Sequence, residues 1–322
     1  MKRAIAVLAG GLLNTFAWAC VGFAPPGQSV NFGDQSSIIV WNPETKTEHF
    51  VRNAFFDSKA KDFGFVAATP SMPELSEANE HIFEVLDSLK PQDERQVNSA
   101  AASTGATTKS VEVLQMVDVG KYQAATIRSD DPAAMTAYLK QNGYATRPDS
   151  DEWIKFYTDM KWVFTAFKVR KGTDNGSETG VIRMSFKTEE PFNPYYVPTG
   201  NSGQGGTLKL YFVSNGTYSA TVGHGKNWNP AVWHAGMDET VTNQLATSLK
   251  MPVAAIPINP TITYFEKQSW LEGAKDDLYF KKDNSMTTLT VIGLGMAAGG
   301  LWWFTRNRKT KVLGELLPKA DS

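Results

Sequence analysis

The stretch from Val111 to Gly143 decides the fold class, and it reads VEVLQMVDVGKYQAATIRSDDPAAMTAYLKQNG. Its first half is rich in β-branched and apolar residues, which favour β-strands. The pattern predicts two strands, Val111 to Val119 and Tyr122 to Ile127, joined near Gly120.

The second half of the same stretch carries the start and stop signals of a helix. Asp131 suits the N-cap, Pro132 suits the first helical position, and Gly143 suits the C-terminal stop. Met135, Tyr138 and Leu139 recur at helical spacing. The step from strand to helix is therefore well specified by the sequence.

The flanking sequence extends this pattern in both directions. Further strands are predicted at Ser37 to Trp41, Thr47 to Phe56, Phe63 to Ala68, Trp162 to Arg170, Val181 to Phe186, Thr207 to Ser214 and Tyr218 to Val222. Further helices are predicted from a Ser76 cap to the stop at Pro91, from Ser150 to Met160 and from Met237 to Leu249. The first three strands are interpreted as a β-meander. The prediction is an α+β domain with an antiparallel-dominated sheet and several helices.

A second kind of pattern lies near the C-terminus, where Met286 to Phe304 carries no charge. Its 19 residues would extend roughly 28 Å as a helix, close to the hydrocarbon thickness of a bilayer. The basic residues Arg306, Arg308, Lys309 and Lys311 follow at once. The sequence therefore predicts a single transmembrane helix with a cytoplasmic C-terminus, the lipid bilayer being a partner. Gly295 and Gly299 form a G-x-x-x-G pair, a candidate helix–helix contact.

The N-terminus has the layout of a secretory signal peptide. Lys2 and Arg3 precede an apolar run, and Ala17-Trp18-Ala19 follows as a small-x-small cleavage site. Cleavage there would leave Cys20 first, either lipidated or as a free thiol. The bulk of the chain is therefore expected outside the cytoplasm, anchored to the cell membrane.

Composition sets limits on the region between these two segments. Of the 322 residues, 42% are hydrophobic and 20% charged, and the formal net charge is −1, so a nucleic-acid partner is not indicated. Cys20 is the one cysteine, so an exported domain must be stable without internal disulfides. The predicted divisions are a signal peptide (1–19), an α+β ectodomain (20–215), its C-terminal extension (216–265), a charged juxtamembrane stalk (266–285), the transmembrane helix (286–304) and a cytoplasmic tail (305–322).

The segment from His224 to His234 is the densest in side chains suited to a site. His224 and His234 are candidate ligand-binding residues, and Trp228 and Trp233 have rings that can stack a sugar. The histidine spacing matches no zinc pattern, so neither a metal nor a cofactor is predicted. A structural loop is the simpler interpretation.

Other titratable residues are given structural interpretations. His49 and His81 are expected at the surface, Asp131 with Asp130 at a helix cap, and Asp276 with Asp277 in the solvated stalk. No nucleophile elbow or phosphate-binding loop is recognisable. The sequence therefore predicts no catalytic residue.

The run Asp62 to Leu75, DFGFVAATPSMPEL, resembles the signature of the bacterial family called domain of unknown function 2330. Later segments agree in order and spacing: Val111-Glu112-Val113-Leu114, Gly120-Lys121-Tyr122, Ser129-Asp130-Asp131 and Tyr138 to Tyr144. The resemblance spans about Cys20 to Pro198. It implies an exported, membrane-anchored protein without assigned activity, and it supplies no catalytic residue.

Three functions remain open on this basis. The first is a non-enzymatic envelope protein that binds a partner or ligand in the periplasm or at the exterior. The second is an envelope hydrolase with a site near His224 and His234. The third is an accessory subunit of a membrane complex, with Gly295 and Gly299 as its contact.

Overall fold

The computed structural model describes residues 21–23, 30–58, 64–90, 112–144, 146, 148–169, 180–197, 206–268 and 274–283. The chain divides into two compact units, Met1–Lys281 and Lys282–Ser322. Residues 282 and 283 are the described part of the second unit. The fold presented below is that of the first unit.

Strands dominate the described residues. They are β1 (Val21–Phe23), β2 (Val30–Asn42), β3 (Thr47–Ser58), β4 (Gly64–Thr69), β5 (Glu74–Ala78), β6 (Glu112–Val119), β7 (Tyr122–Arg128), β8 (Val163–Val169), β9 (Val181–Lys187), β10 (Phe192–Asn193), β11 (Leu208–Ser214), β12 (Tyr218–Val222), β13 (Lys226–Asn227), β14 (Trp233–Gly236), β15 (Thr261–Lys267) and β16 (Leu278–Lys282). The helices are α1 (His81–Asp87), α2 (Pro132–Gln141), α3 (Pro148–Asp159) and α4 (Glu239–Ser248), with a short 3₁₀ helix at Val253–Ala255. The fold class is α+β, as predicted.

The strands form three sheets. A seven-stranded sheet has the order β14-β15-β11-β2-β3-β9-β5, and its described pairs are antiparallel except for the parallel pair β11–β2. A five-stranded antiparallel sheet has the order β1-β4-β8-β7-β6, and a four-stranded sheet has the order β10-β16-β12-β13. The two strands predicted on either side of Gly120 form the antiparallel pair β6–β7. The predicted meander is wrong in its third member, because β4 pairs with β1 and β8 instead of β3.

The seven-stranded sheet has a core on each face. Successive residues of a strand point to opposite faces, and β2 shows the consequence: Ile38 and Val40 belong to one core, Ile39 and Trp41 to the other. The first core also contains residues of α1 and α4. The second joins the seven-stranded sheet to residues of the other two sheets and of α2 and α3. Strands buried on both faces explain why so much of β2 and β9 is apolar.

The helix signals of the opening stretch are confirmed. Asp131 is the N-cap of α2, and its Oδ1 accepts a hydrogen bond from the Ala133 N–H at 2.9 Å. Gly143 follows the helix with φ 78°, a conformation that favours glycine. The Ser76 cap is wrong, because Ser76 lies in β5 and α1 begins only at His81. Pairing of β5 with β9 satisfies the backbone that a longer helix would have used.

The stalk interpretation of residues 266–285 is corrected by β15 and β16. β15 continues to Lys267, and Leu278, Tyr279 and Phe280 of β16 are buried in the larger core. Residues 216–265 supply β12 to β15 and α4, so they share the sheets of the preceding region. Sequence reasoning took the charges of residues 275–277 for a solvated stalk and missed the apolar run that follows them.

Several predictions fall outside the described residues. They concern the signal peptide (1–19), Cys20, the contact pair Gly295 and Gly299, the run Met286 to Phe304 and the cytoplasmic tail (305–322). Within the described residues, none of the helices is long and apolar enough to cross a membrane.

Candidate functional site

Adjacent residues of β3 carry polar side chains to opposite faces of the seven-stranded sheet. Glu48 is fully buried beside Phe192, and His49 is 7% exposed beside Ser185. Buried ionisable groups are costly unless they are paired or hydrogen-bonded, so each position is a candidate for function.

Glu48 has one satisfied and one unsatisfied oxygen. Its Oε2 accepts a hydrogen bond from the backbone N–H of Phe192 at 2.9 Å, whereas Oε1 has no partner among the described residues. Burial raises the pKa of Glu48 well above its usual value; the Phe192 bond lowers it, and the charge of Asp277 raises it further. Burial therefore favours the protonated form of Glu48.

Asp277, immediately before β16, is the second buried acid. It is fully buried, and its Oδ1 accepts hydrogen bonds from the Tyr157 hydroxyl at 2.7 Å and from the Tyr195 and Tyr196 N–H groups at 2.7 and 3.0 Å. Its Oδ2 has no hydrogen-bond partner in the described part of the chain. Burial raises the pKa of Asp277 to about 7, although these three hydrogen bonds oppose the shift.

Glu48 and Asp277, the buried acid pair, share one segment of backbone. Residues 192–196 donate to both, through Phe192 to Glu48 and through Tyr195 and Tyr196 to Asp277. The pair thereby connects the seven-stranded sheet, the four-stranded sheet and, through Tyr157, α3. A carboxyl group with a pKa near 7 can exchange a proton under physiological conditions. The saturation of Asp277 Oδ1 by backbone and hydroxyl donors is equally typical of a structural contact.

Two of the four predicted ligand-binding residues, His224 and Trp228, flank β13 of the four-stranded sheet, which also contains β16, the strand that Asp277 precedes. The His224 ring packs on Tyr279 with centroids 4.4 Å apart, and its Nε2 lies 3.5 Å from Glu190 Oε1. Trp228 packs against Tyr195 at 5.5 Å, and its indole N–H has no partner among the described residues. The turn that contains His224 lies close to Asp276, since a Cβ on Gly223 would be 2.6 Å from Asp276 Oδ2.

The other two predicted residues belong to β14, at the edge of the seven-stranded sheet. Trp233 is buried and stacked on Tyr264 at 5.2 Å, whereas His234 is exposed. The structure thus places the two indoles in different cores, and it places His224 in the turn between β12 and β13 but His234 in β14. Within the described residues, no group of three or more His, Cys, Asp or Glu side chains is arranged to hold a metal ion.

His49 corrects the expectation of a surface histidine. Its Nδ1 lies 2.8 Å from Ser185 Oγ, and its Nε2 has no hydrogen-bond partner in the described part of the chain. Burial, with the charges of Arg183 and Lys187, lowers the pKa of His49 to about 4. A neutral imidazole beside a hydroxyl has the composition of a nucleophile–base pair, but no carboxylate contacts Nε2 to stabilise an imidazolium. His81 is exposed and pairs with Glu84, as expected at a surface.

Sequence reasoning missed the buried acid pair for a specific reason. Asp276-Asp277 stands beside Lys275 and before Lys281-Lys282, so its charge pattern is that of a solvated segment. The signal that could have revealed it is the apolar trio Leu278-Tyr279-Phe280, which is typical of a buried strand.

The family comparison covers most of this fold. The model of a family described as "Uncharacterized protein conserved in bacteria", domain of unknown function 2330, matches residues 15–251. The match extends beyond the expected limit at Pro198 and includes β11 to β14 and α4. No curated protein matches the chain. Because the matched residues make up well over half of the 322, the chain belongs to the uncharacterized bacterial family domain of unknown function 2330.

Proposed function

We propose that this protein is a membrane-anchored component of the bacterial cell envelope whose folded region is a non-enzymatic binding or interaction module outside the cytoplasm. The observation that carries the proposal is the short separation between the fold and the uncharged run. β16 ends at Lys282, and Met286 begins the run four residues later, at most about 14 Å of extended chain. A fold so close to a membrane span is held at the bilayer surface. The signal-peptide layout of residues 1–19 supports export.

An exposed sheet edge supports the binding role. β6 is the last strand of the five-stranded sheet, and no described strand pairs with its outer edge. Val113 and Met116 of β6 are exposed, Met116 to 52%. An edge strand with exposed apolar side chains suits the addition of an extended segment from a partner protein. The buried acid pair, in contrast, is enclosed by backbone donors, which favours a structural role.

The two alternatives have weaker support. A hydrolase site that uses His224 with His234 needs both imidazoles at one place, but His224 lies in the turn between β12 and β13 and contacts Tyr279, whereas His234 lies in β14 of another sheet. A role as accessory subunit rests on Gly295 and Gly299 and stays a prediction. Copurification of a defined partner in mild detergent, lost in a Gly295→Leu variant, would favour this alternative.

Topology gives the first test. Protease added to spheroplasts is expected to degrade the folded region and leave a small membrane fragment that contains the C-terminal tail. An epitope tag after Ser322 and immunoblotting measure the fragment, and a cytoplasmic protein serves as the control for intact spheroplasts. Full protection of the chain in intact spheroplasts would contradict the proposed orientation.

The binding role is tested at β6. A photo-crosslinking residue in place of Met116 is expected to produce an adduct of defined mass in living cells, because Met116 is exposed on an edge strand. The matched control is the same residue in place of Lys155, which is exposed on α3. Immunoblotting measures the adduct. Its absence at Met116, or equal labelling at both positions, would count against a binding edge at β6.

A further inference from the structure

One loop of the fold exposes apolar side chains in a segment without charge. From Met251 to Phe265 the sequence contains no ionisable acid or base other than Tyr264. Within it, residues 251–260, here called the apolar loop, connect α4 to β15. Ile258 is 78% exposed and Val253 47% exposed. Burial of both side chains against an apolar environment would be favourable.

The apolar loop is held by specific contacts. Lys250 and Asn259, at its two ends, have φ values of 49° and 51°, in the left-handed region. Met251 and Ile256 are buried in the core beneath α1 and α4. The Asn42 side chain donates a hydrogen bond to the Ala255 carbonyl at 3.2 Å. With its inner side anchored in this way, the loop presents Val253 and Ile258 outward.

The end of the last strand lies near the same end of the fold. Ser219 Oγ donates to the carbonyl of Lys281 at 3.4 Å, which places Lys281 beside the start of β12. The backbone N–H of Tyr218 donates to Thr263 Oγ1 at 3.3 Å. Thr263 is the third residue of β15, the strand that the apolar loop enters at Thr261. Lys281, the last residue of the first unit, is therefore linked by two contacts to the start of β15.

From these contacts we infer that the apolar loop docks on the lipid surface, with Ile258 and Val253 inserted at the boundary between headgroups and acyl chains. The inference rests on the proposed membrane anchor, since Met286 follows Lys281 by five residues. A chain leaving the fold at this end holds the same end against the bilayer. Apolar side chains at such a boundary gain free energy by leaving water. The exposed Lys281 and Lys282 suit contact with anionic headgroups.

The inference adds an orientation to the proposed function. A flexible tether alone would let the folded region take any orientation above the membrane. Docking of the apolar loop instead fixes one end of the seven-stranded sheet at the surface.

The test uses the full-length chain in vesicles of phosphatidylethanolamine and phosphatidylglycerol. Cys20→Ser removes the chain's one cysteine, and Ile258→Cys then allows a single environment-sensitive dye at the loop. Lipids brominated on their acyl chains quench a dye that reaches them. We expect brominated lipids to quench the dye at position 258 by about half, because apolar side chains at the interface are buried roughly 5–10 Å into the boundary between headgroups and acyl chains. Urea unfolding of the unlabelled variant checks that the fold is retained.

The matched control is Val232→Cys in the same background. Val232 is an apolar residue, 55% exposed, whose N–H bonds to the carbonyl of Tyr264, further along β15 from the loop. Its dye is expected to lose little fluorescence in brominated vesicles. Equal quenching at both positions would overturn a specific docking of the loop.

Flotation of the vesicles separates this inference from the proposed anchor. A chain that does not float with vesicles contradicts the anchor and the inference together. A chain that floats but shows no quenching at position 258 contradicts the inference alone. In that case, photo-crosslinking of position 258 to a protein in cells would assign the loop to a protein partner.

Discussion

Replacing Asp277 with alanine is expected to lower the free energy of unfolding by about 3 kcal/mol or more, because three buried donors lose their acceptor. The reason is that Oδ1 accepts three hydrogen bonds, from Tyr157, Tyr195 and Tyr196. Without the carboxyl group these buried donors lose their acceptor, and each unsatisfied group costs roughly 1–3 kcal/mol. Urea unfolding of the full-length chain in mild detergent, followed by tryptophan fluorescence, measures the change.

The matched control is Asp276→Ala. Asp276 is only partly buried, and its Oδ1 accepts a hydrogen bond from the N–H of Asp277 at 2.8 Å. Loss of that bond is expected to cost about 1 kcal/mol, the typical net value of a single hydrogen bond. The structural role of the buried acid pair would be contradicted if Asp277→Ala cost no more than Asp276→Ala.

The second large effect is a pH dependence of stability that Asp277 causes. Burial raises its pKa to about 7 in the folded protein, above the value of roughly 3.9 for an aspartate in an unfolded chain. Between these values the native state keeps a proton that the unfolded state releases. The contribution of Asp277 is therefore fully present below pH 4 and is lost as pH rises to 7.

The measurement compares the wild-type chain with Asp277→Asn. The difference in their free energies of unfolding is expected to change by about 1.4 kcal/mol per pH unit between pH 4 and 7, and to level off above pH 7. The wild type loses stability relative to the variant as pH rises. His49 acts in the opposite sense, because its pKa is lowered to about 4, but it is common to both chains. Parallel curves across this range would show that the pKa of Asp277 is not raised.

Glu48→Gln serves as the companion variant. Burial raises the pKa of Glu48 as well, so its removal is expected to shift the curve in the same direction as Asp277→Asn. The double variant tests coupling, because the charge of Asp277 contributes to the raised pKa of Glu48. If the double variant changes the free energy of unfolding by the sum of the two single changes, the two acids do not interact.

The β6–β7 hairpin and α2 were predictable because their signals are local. The hairpin turns at Gly120, which has φ 54°, and the Asp131 cap contacts a residue two positions away. Turns and caps require particular residue types within a few positions, and these can be recognised in a sequence. Local signals gave a wrong prediction at Ser76. This residue has the type and spacing of a helix cap, but it lies in β5, which pairs with β9.

The candidate site was not predictable because its contacts span long distances along the chain. Glu48 meets Phe192 across 144 residues, and Asp277 meets Tyr157 across 120. Asp277 follows charged residues, so its composition indicated exposure, while the packing of Leu278 to Phe280 draws it into the core. His49 was missed for the same reason, since Ser185 lies 136 residues away.

The sequence by itself determined the α+β class, the hairpin and helix of residues 112–141, and membership of the family domain of unknown function 2330. Each of these depends on residue types over short spacings or on a pattern of motifs. The tertiary structure alone decided that β4 joins the five-stranded sheet, that residues 278–282 form a strand, and that Glu48, His49 and Asp277 are buried. Burial and pKa depend on which distant elements pack together, and that choice reflects the free energy of the whole core.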